Sequence, residues 1–150
     1  MFSPGQIVYF NEFFFKNGNT SKPKYFIVLA NISEQTIVAS LPTRTNLAAS
    51  LITKSHGCIN IEERCFNCYA FEANRSIASN GFSFPLPTYL YGDQVEDYEV
   101  ELLRDLYKIE GVDYEIMGIL TAPEFKTIID CITNSGSIKR KIKRLMSQGK

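Results

Sequence analysis

Tyr25-Phe26-Ile27-Val28-Leu29-Ala30 is apolar at every position, which is typical of a strand that is buried on both faces. A second apolar run, Thr36-Ile37-Val38-Ala39-Ser40-Leu41, follows it after a short turn and reads as the antiparallel return strand. Upstream, Gln6-Ile7-Val8-Tyr9-Phe10 is rich in β-branched and aromatic residues, and a polar loop containing Asn17-Gly18 separates it from the central run. Three short strands with tight connections predict a meander that curls into a small barrel.

The C-terminal part of the sequence predicts helices. Thr121-Ala122-Pro123-Glu124 has the spacing of a capping box, in which the Thr and Glu side chains bond backbone N–H groups at a helix start. An apolar stripe at helical spacing follows, formed by Phe125, Ile128, Ile129 and Ile132. A second helix is predicted from residue 137, with aliphatic side chains on one side and cations on the rest. The fold class is therefore mainly β with C-terminal helices, an α+β domain.

The middle of the chain is harder to interpret. Residues 58–61 and 68–71 have the composition of strands, whereas residues 95–107 fit a helix and a strand about equally well.

The bulk composition of the chain is easier to interpret. A chain of 150 residues with 45% hydrophobic residues fits one domain that buries a core. Its 16 basic and 16 acidic residues cancel, so any polyanion site has to be a local patch.

Cellular location is also indicated by composition. No apolar run approaches the roughly 20 residues of a membrane helix, and the first residues lack the basic start and apolar stretch of a signal peptide. We therefore expect a cytoplasmic protein without a membrane partner. In that compartment the four cysteines would be reduced, so a disulfide framework is not expected.

The order of short motifs resembles that of the MazF/PemK family of toxin–antitoxin growth inhibitors. The matching segments are Gly5-Gln6-Ile7-Val8, the strand from Lys24, Leu41-Pro42-Thr43-Arg44-Thr45, Asp93-Gln94-Val95 and Ala122-Pro123-Glu124. The resemblance covers residues 5–45 and 88–133 of a single domain spanning 1–150. Residues 46–87 look like an inserted segment, and residues 134–150 look like a basic helical tail.

The resemblance implies a small SH3-like barrel and an endoribonuclease that cleaves single-stranded RNA without a metal or another cofactor. It also implies a homodimer and an antitoxin protein as partner. In such cleavage the ribose 2′-oxygen attacks the adjacent phosphorus, so the protein supplies a base, an acid and a cation. Lys24 stands where the family has Arg, and Lys lacks the planar guanidinium that binds phosphate at two oxygens. The alternative is therefore a non-catalytic barrel that binds a protein or nucleic-acid partner.

Four residues are candidates for catalysis. Lys24 and Arg44 are expected at strand-to-loop edges as charge stabilisers, with Thr43 as a positioning group. His56 is the only histidine, and imidazole suits proton transfer near neutral pH. RNA contacts are expected from Lys16, Lys22, Thr45, Lys139, Arg140 and Lys143. The competing interpretation is that these are ordinary solvated side chains, and that residues 139–144 form the solvated face of an amphipathic helix.

The histidine and three of the cysteines have two possible roles, as zinc ligands or as core side chains. His56-Gly57-Cys58 and Cys65-Phe66-Asn67-Cys68 contain four potential ligands, and the second pair has a spacing that is common in zinc sites. The first pair is tighter than the usual patterns, and cysteines within strands are good small core side chains. We therefore predict no metal site, and we expect Cys131, near the helical apolar stripe, to be a packed thiol.

Overall fold

The structure is a computed structural model that describes residues 2–14, 22–41, 55–136 and 138–148. It is mainly β with helices, as the sequence predicts. The strands are β1 (Gln6–Phe13), β2 (Lys22–Ile32), β3 (Gln35–Leu41), β4 (Gly57–Ile61), β5 (Phe66–Phe71), β6 (Thr88–Tyr91), β7 (Val95–Glu99) and β8 (Tyr114–Ile119). The helices are α1 (Val100–Leu106), α2 (Ala122–Thr133) and α3 (Arg140–Gln148). Within these ranges no helix is both long and apolar enough to cross a membrane.

The strands form two antiparallel sheets. The large sheet has the order β7-β3-β2-β1-β8, and the small sheet has the order β4-β5-β6. Both sheets are open across the part of the chain that the structure describes. The apolar run identified first lies in β2, the central strand of the large sheet, and β1 and β3 flank it as the meander predicts.

The large sheet buries both faces, which explains the apolar run. On one face Ile7, Ile27 and Leu29 join a core that includes residues of the small sheet, α2 and α3. On the other face Phe10 and Phe26 belong to a second cluster. That cluster is completed by Val28, Val38, Tyr98, Leu103 and Tyr107, among others. Alternate positions of β2 therefore enter different cores, and the four residues Phe26 to Leu29 are all buried, which accounts for their apolar character.

Two elements differ from what the sequence suggested. Residues 95–107, which fit either type of structure, contain both: β7 ends at Glu99 and α1 begins at Val100. Strand β8 was not predicted. It pairs with β1, and its formation depends on that distant partner rather than on its own composition.

Both C-terminal helices form as predicted, but the capping box does not. Thr121 precedes α2 without a side-chain cap bond, and its backbone N–H donates instead to the carbonyl oxygen of Ile77 at 3.1 Å. Because that N–H already has a partner, Glu124 is available for other bonds. In α3, Ile138 just before the helix and Ile142 and Met146 within it are buried in the main core.

The expectation that all four cysteines are reduced is wrong for two of them, whereas Cys65 and Cys68 are free. Cys58 on β4 and Cys131 on α2 form a disulfide, with Cα atoms 5.6 Å apart. Cys131 is therefore not the packed thiol that its place on the helix suggested. The two cysteines are separated by 73 positions in the chain, and only the packing of α2 on β4 and β5 brings them together. No local pattern in the sequence could indicate this pairing.

Candidate active site around His56

His56 lies immediately before β4 and contacts the first turn of α2. Its Nε2 is 3.0 Å from Oε2 and 3.2 Å from Oε1 of Glu124. Its Nδ1 accepts a hydrogen bond of 3.2 Å from the backbone N–H of Glu72. Since Nδ1 is an acceptor, the neutral ring carries its proton on Nε2 and donates it to the carboxylate, an assignment that follows from the bonding pattern.

Tyr69 completes the pair from the neighbouring strand. Its hydroxyl donates a hydrogen bond to Oε2 of Glu124, the same oxygen that His56 contacts most closely. Burial is the main reason that the pKa of Tyr69 is raised, and the bond to Glu124 and its negative charge act in the same direction. The nearby Arg75 guanidinium opposes this effect. Tyr69 therefore remains a protonated donor that holds the carboxylate in one orientation.

A disulfide and a hydrogen bond, both between the β4 region and α2, fix the geometry of this site. Cys58 and Tyr69 are direct partners across β4 and β5, so their side chains share the face that meets α2. On α2, Glu124 and Cys131 are seven residues apart and lie on one side of the helix. The disulfide and the His56–Glu124 bond thus join β4 to α2 at two points, two helical turns apart.

The cluster reaches the surface at one edge. The side chains of His56 and Glu124 retain 9% and 13% of their exposure, respectively. Arg75 and Glu72 are exposed beside them and form an ion pair of 3.6 Å. A base, a proton donor and a cation are therefore present within a small region that a ligand could reach from solvent. Such a set can move protons at an anionic substrate without a metal.

The other predicted catalytic residues do not join this cluster in the described part of the chain. Lys24 is half-buried on β2, where it pairs with Phe10. Its side of the large sheet is the one that carries Phe10 and Phe26, whereas Tyr69 belongs to the core on the opposite side. Thr43, Arg44, Thr45 and Lys16 lie outside the described residues, as does the side chain of Lys22. The pairing of Lys24 with Arg44 remains a prediction.

Two of the cations predicted to bind RNA in the C-terminal tail have partners within the protein. Lys139 forms an ion pair with Glu96 on β7, and the ammonium of Lys143 donates to the carbonyl oxygen of Ser135 at 3.3 Å. Arg140 is exposed. Lys141 adds an ion pair of 3.1 Å with Asp97. The basic segment that includes α3 therefore docks on the acidic strand β7.

The cysteines do not assemble a metal centre. Cys58 is oxidised and cannot act as a thiolate ligand. Cys65 is exposed, whereas burial raises the pKa of the Cys68 thiol to about 12. Across the described ranges, no group of three or more His, Cys, Asp and Glu side chains could hold a metal ion.

Sequence reasoning found one member of the cluster and missed two. His56 stood out by its residue type, but Glu124 was assigned to helix capping and Tyr69 was not singled out. Comparison of the chain with protein-family models and with curated proteins gives no match. The bonded group of His56, Glu124 and Tyr69 is thus the feature that indicates a function.

Proposed function

We propose that this chain is a MazF-like, metal-free endoribonuclease that cleaves single-stranded RNA, with Glu124 and His56 as its acid–base pair. One observation carries the proposal: the only histidine of the chain bonds a partly exposed carboxylate that a second donor, Tyr69, also orients. Arg75 lies at the rim of the same cluster and offers the cation that a crowded phosphate requires.

The hydrogen bonds define the role of each residue. Glu124 is the base, because the ring has no free basic nitrogen while Nδ1 accepts from Glu72 and Nε2 carries the proton. Glu124 takes the proton of the 2′-hydroxyl as its oxygen attacks phosphorus. In the reacting state a proton from solvent has also bound Nδ1, which breaks the bond from the Glu72 N–H, and Nε2 gives its proton to the departing 5′-oxygen. Glu124 then passes the proton that it took from the 2′-hydroxyl to Nε2, which restores the carboxylate and the doubly protonated ring for the next cycle.

Kinship with the MazF/PemK family is part of this proposal. The order of the motifs supports it, as do the β1-β2-β3 meander and the Pro-Glu-led helix α2 that packs on the sheets. The SH3-like barrel, the homodimer and an antitoxin partner belong to the same hypothesis. In the active site proposed here, Arg75 supplies the positive charge that the family resemblance assigns to Lys24.

The test is RNA cleavage in the presence of a chelator. Purified protein should cut mixed single-stranded RNA and leave 2′,3′-cyclic phosphate ends, detected by mass spectrometry. Glu124→Gln, which keeps the shape but loses the base, should slow cleavage by about 10²-fold or more. The matched control is Thr127→Ala, one turn further along the same helix and exposed. It should cleave like the wild type.

Two outcomes would overturn the proposal. One is intact RNA after incubation with wild-type protein at micromolar concentration. The other is wild-type cleavage by a Glu124→Gln variant whose circular dichroism shows a native fold. If Lys24→Ala abolishes cleavage while Glu124→Gln does not, the active site lies at Lys24 and Arg44 instead.

A non-catalytic binding protein is the second candidate, and a specific surface favours it. Leu102 and Leu106 on the outer side of α1 are 47% and 44% exposed, and Ile109 and Val112 just beyond the helix are also exposed. Exposed apolar residues grouped in this way mark interaction sites. If expression of the protein arrests growth and Glu124→Gln relieves the arrest without loss of the fold, this second candidate is excluded.

A further inference from the structure

Three partly exposed aromatic side chains lie on the same side of the large sheet as the His56 cluster. Tyr9 on β1 and Tyr25 on β2 are direct partners in the antiparallel register, so both rings project from one face, with ring centres 4.9 Å apart. Phe82, between β5 and β6, lies with its ring centre 6.2 Å from that of Tyr25. We refer to Tyr9, Tyr25 and Phe82 as the aromatic row.

Direct ring contacts connect the aromatic row to His56. The ring of Tyr25 is 5.3 Å from that of Phe84, and Phe84 is 5.5 Å from Phe71. Phe71 in turn lies 6.1 Å from the imidazole of His56. Phe71 and Phe84 are fully buried, so they fix the distance between the row and the His56 cluster.

The exposure of the row distinguishes it from the core. Phe71 and Phe84 are buried as core rings should be, whereas all three members of the row keep part of their surface in solvent. Aromatic rings displayed on neighbouring strands of a sheet are the arrangement on which single-stranded RNA stacks its bases. Stacking accepts any base, because every base has a π-face.

Glu115 gives this surface a preference for bases over phosphates. It is exposed on β8 directly opposite Tyr9. Burial, the neighbouring Tyr9 and the charge of Glu115 all raise the pKa of Tyr25, which places the carboxylate close to the row. A carboxylate repels phosphate but accepts hydrogen bonds from the amino groups of bases such as cytosine. Uracil has no such amino group.

We propose that the aromatic row binds unstacked bases of single-stranded RNA, with Glu115 favouring bases that carry an amino group. This inference builds on the proposed function, because it places the scissile phosphate at the Glu124 end of the surface and the flanking bases on Tyr9, Tyr25 and Phe82. The row is a binding surface and takes no part in proton transfer.

The experiment uses RNA that cannot be cleaved. Labelled 2′-O-methyl oligonucleotides lack the attacking hydroxyl, and fluorescence anisotropy measures their binding to the full chain. An oligocytidine should bind more tightly than an abasic strand of equal length. Tyr25→Ala and Tyr9→Ala should each weaken binding by about tenfold, as expected for the loss of one stacked base. Tyr25→Phe, which keeps the ring, should stay within about twofold of the wild type.

One control variant and one further variant make the test specific. Tyr89→Ala removes a ring that is also half-buried but stacks on Tyr91 in the small sheet, and it should bind like the wild type. Glu115→Gln should reduce the preference for oligocytidine over oligouridine. Circular dichroism and urea unfolding of every variant separate lost binding from lost folding. If an alanine variant does not fold, the comparison between Tyr25→Phe and Tyr25→Leu takes its place.

The outcomes separate this inference from the proposed activity. Ring-dependent binding without any cleavage of unmodified RNA supports the row and overturns the ribonuclease. Cleavage with wild-type binding by Tyr9→Ala and Tyr25→Ala overturns the row and leaves the ribonuclease intact. Equal affinity for abasic and base-bearing strands, or no binding of either, also overturns the row.

Discussion

Asn67 is a buried residue whose amide joins three parts of the fold. Its Nδ2 donates to the carbonyl oxygen of Cys131 at 3.2 Å, which links β5 to the end of α2. Its Oδ1 lies against Gly92, in the 3-10 turn before β7, and has no hydrogen-bond partner among the described residues. A Cβ at Gly92 would collide with this oxygen and would lie 3.0 Å from Cδ1 of Ile138. Gly92 is therefore required by close packing rather than by its backbone angles.

This packing predicts that Gly92→Ala destabilises the protein. The added methyl group forces Asn67 or Ile138 to move, and overpacking of this kind costs about 1–3 kcal/mol in the free energy of unfolding. Urea denaturation monitored by circular dichroism measures the loss. Gly136→Ala is the matched control, because a Cβ there meets nothing within 4 Å, and it should change stability by less than about 0.5 kcal/mol.

A double variant identifies the atom responsible. Asn67→Ala removes the oxygen that the new methyl group meets, so Gly92→Ala should cost less in that background than in the wild type. Strict additivity of the two changes would show that the residues do not interact and would contradict this account.

Among the secondary-structure elements, α2 and β4 are the pair held by a covalent bond. The Cys58–Cys131 disulfide closes a loop across 73 positions, which removes chain entropy from the unfolded state. For a loop of this length the chain-entropy model gives a stabilisation of about 4 kcal/mol. The double variant Cys58→Ser, Cys131→Ser should therefore unfold at markedly lower urea concentration than the oxidised wild type.

The exposed thiol of Cys65 provides the control. Cys65→Ser removes a cysteine without touching the disulfide, and its unfolding curve should match that of the wild type. Reduction of the wild type should lower its stability to that of the double variant. An oxidised wild type that is no more stable than the double variant would show that the bond is absent or makes no contribution.

The elements that sequence reasoning identified are those with strong local patterns. The central strand β2 has an apolar run because both its faces are buried, and α2 carries its apolar stripe at helical spacing. Strand β8 depends on pairing with β1, more than 100 residues earlier in the chain, and its own residues include Glu115 and Gly118. Pairing across such a distance leaves no periodic signal in a single sequence.

In the candidate site, too, sequence reasoning found the residue with a local signal and missed those that depend on distant contacts. His56 could be singled out because histidine is a rare residue type in this chain, with a single copy. Glu124 follows Pro123 three residues after a Thr, a pattern that local reasoning assigns to capping. The bond from Tyr69 to Glu124 spans 55 positions, so only the folded arrangement shows that the carboxylate has a different role.

Across the whole molecule, burial of titratable side chains makes the free energy of unfolding fall at high pH. The pKa of Cys68 rises from 9.0 to about 12 because the thiol is buried. The pKa of Tyr91 rises from 10.0 to about 12, chiefly through burial, and further through the charges of Cys68, Tyr89 and Asp93. Tyr69 and Tyr98 are shifted in the same direction. The folded protein therefore keeps protons that the unfolded chain releases between pH 9 and pH 12.

The sign of the effect follows from proton counting. Above pH 9 the unfolded state binds fewer protons than the folded state, so the free energy of unfolding falls as pH rises. Each group contributes a slope of at most about 1.4 kcal/mol per pH unit, and this contribution ends once its folded-state pKa is passed. Stability that is complete below pH 9 should thus decline steadily toward pH 11, as measured by urea unfolding at fixed ionic strength.

Removal of single groups should change this profile in a defined order. In a Cys65→Ser background, which excludes the exposed thiol, Cys68→Ala should move the onset of the decline from near pH 9 to near pH 10, where the phenols of the unfolded chain begin to ionise. Adding Tyr91→Phe should then make the slope above pH 10 shallower without moving its onset, because Tyr69 and Tyr98 remain. The shape of the curve, rather than its height, tests the argument, since each substitution also changes packing. Profiles that keep the same shape in all three proteins would mean that these side chains ionise in the folded state as readily as in the unfolded chain, and that water reaches the space between the sheets.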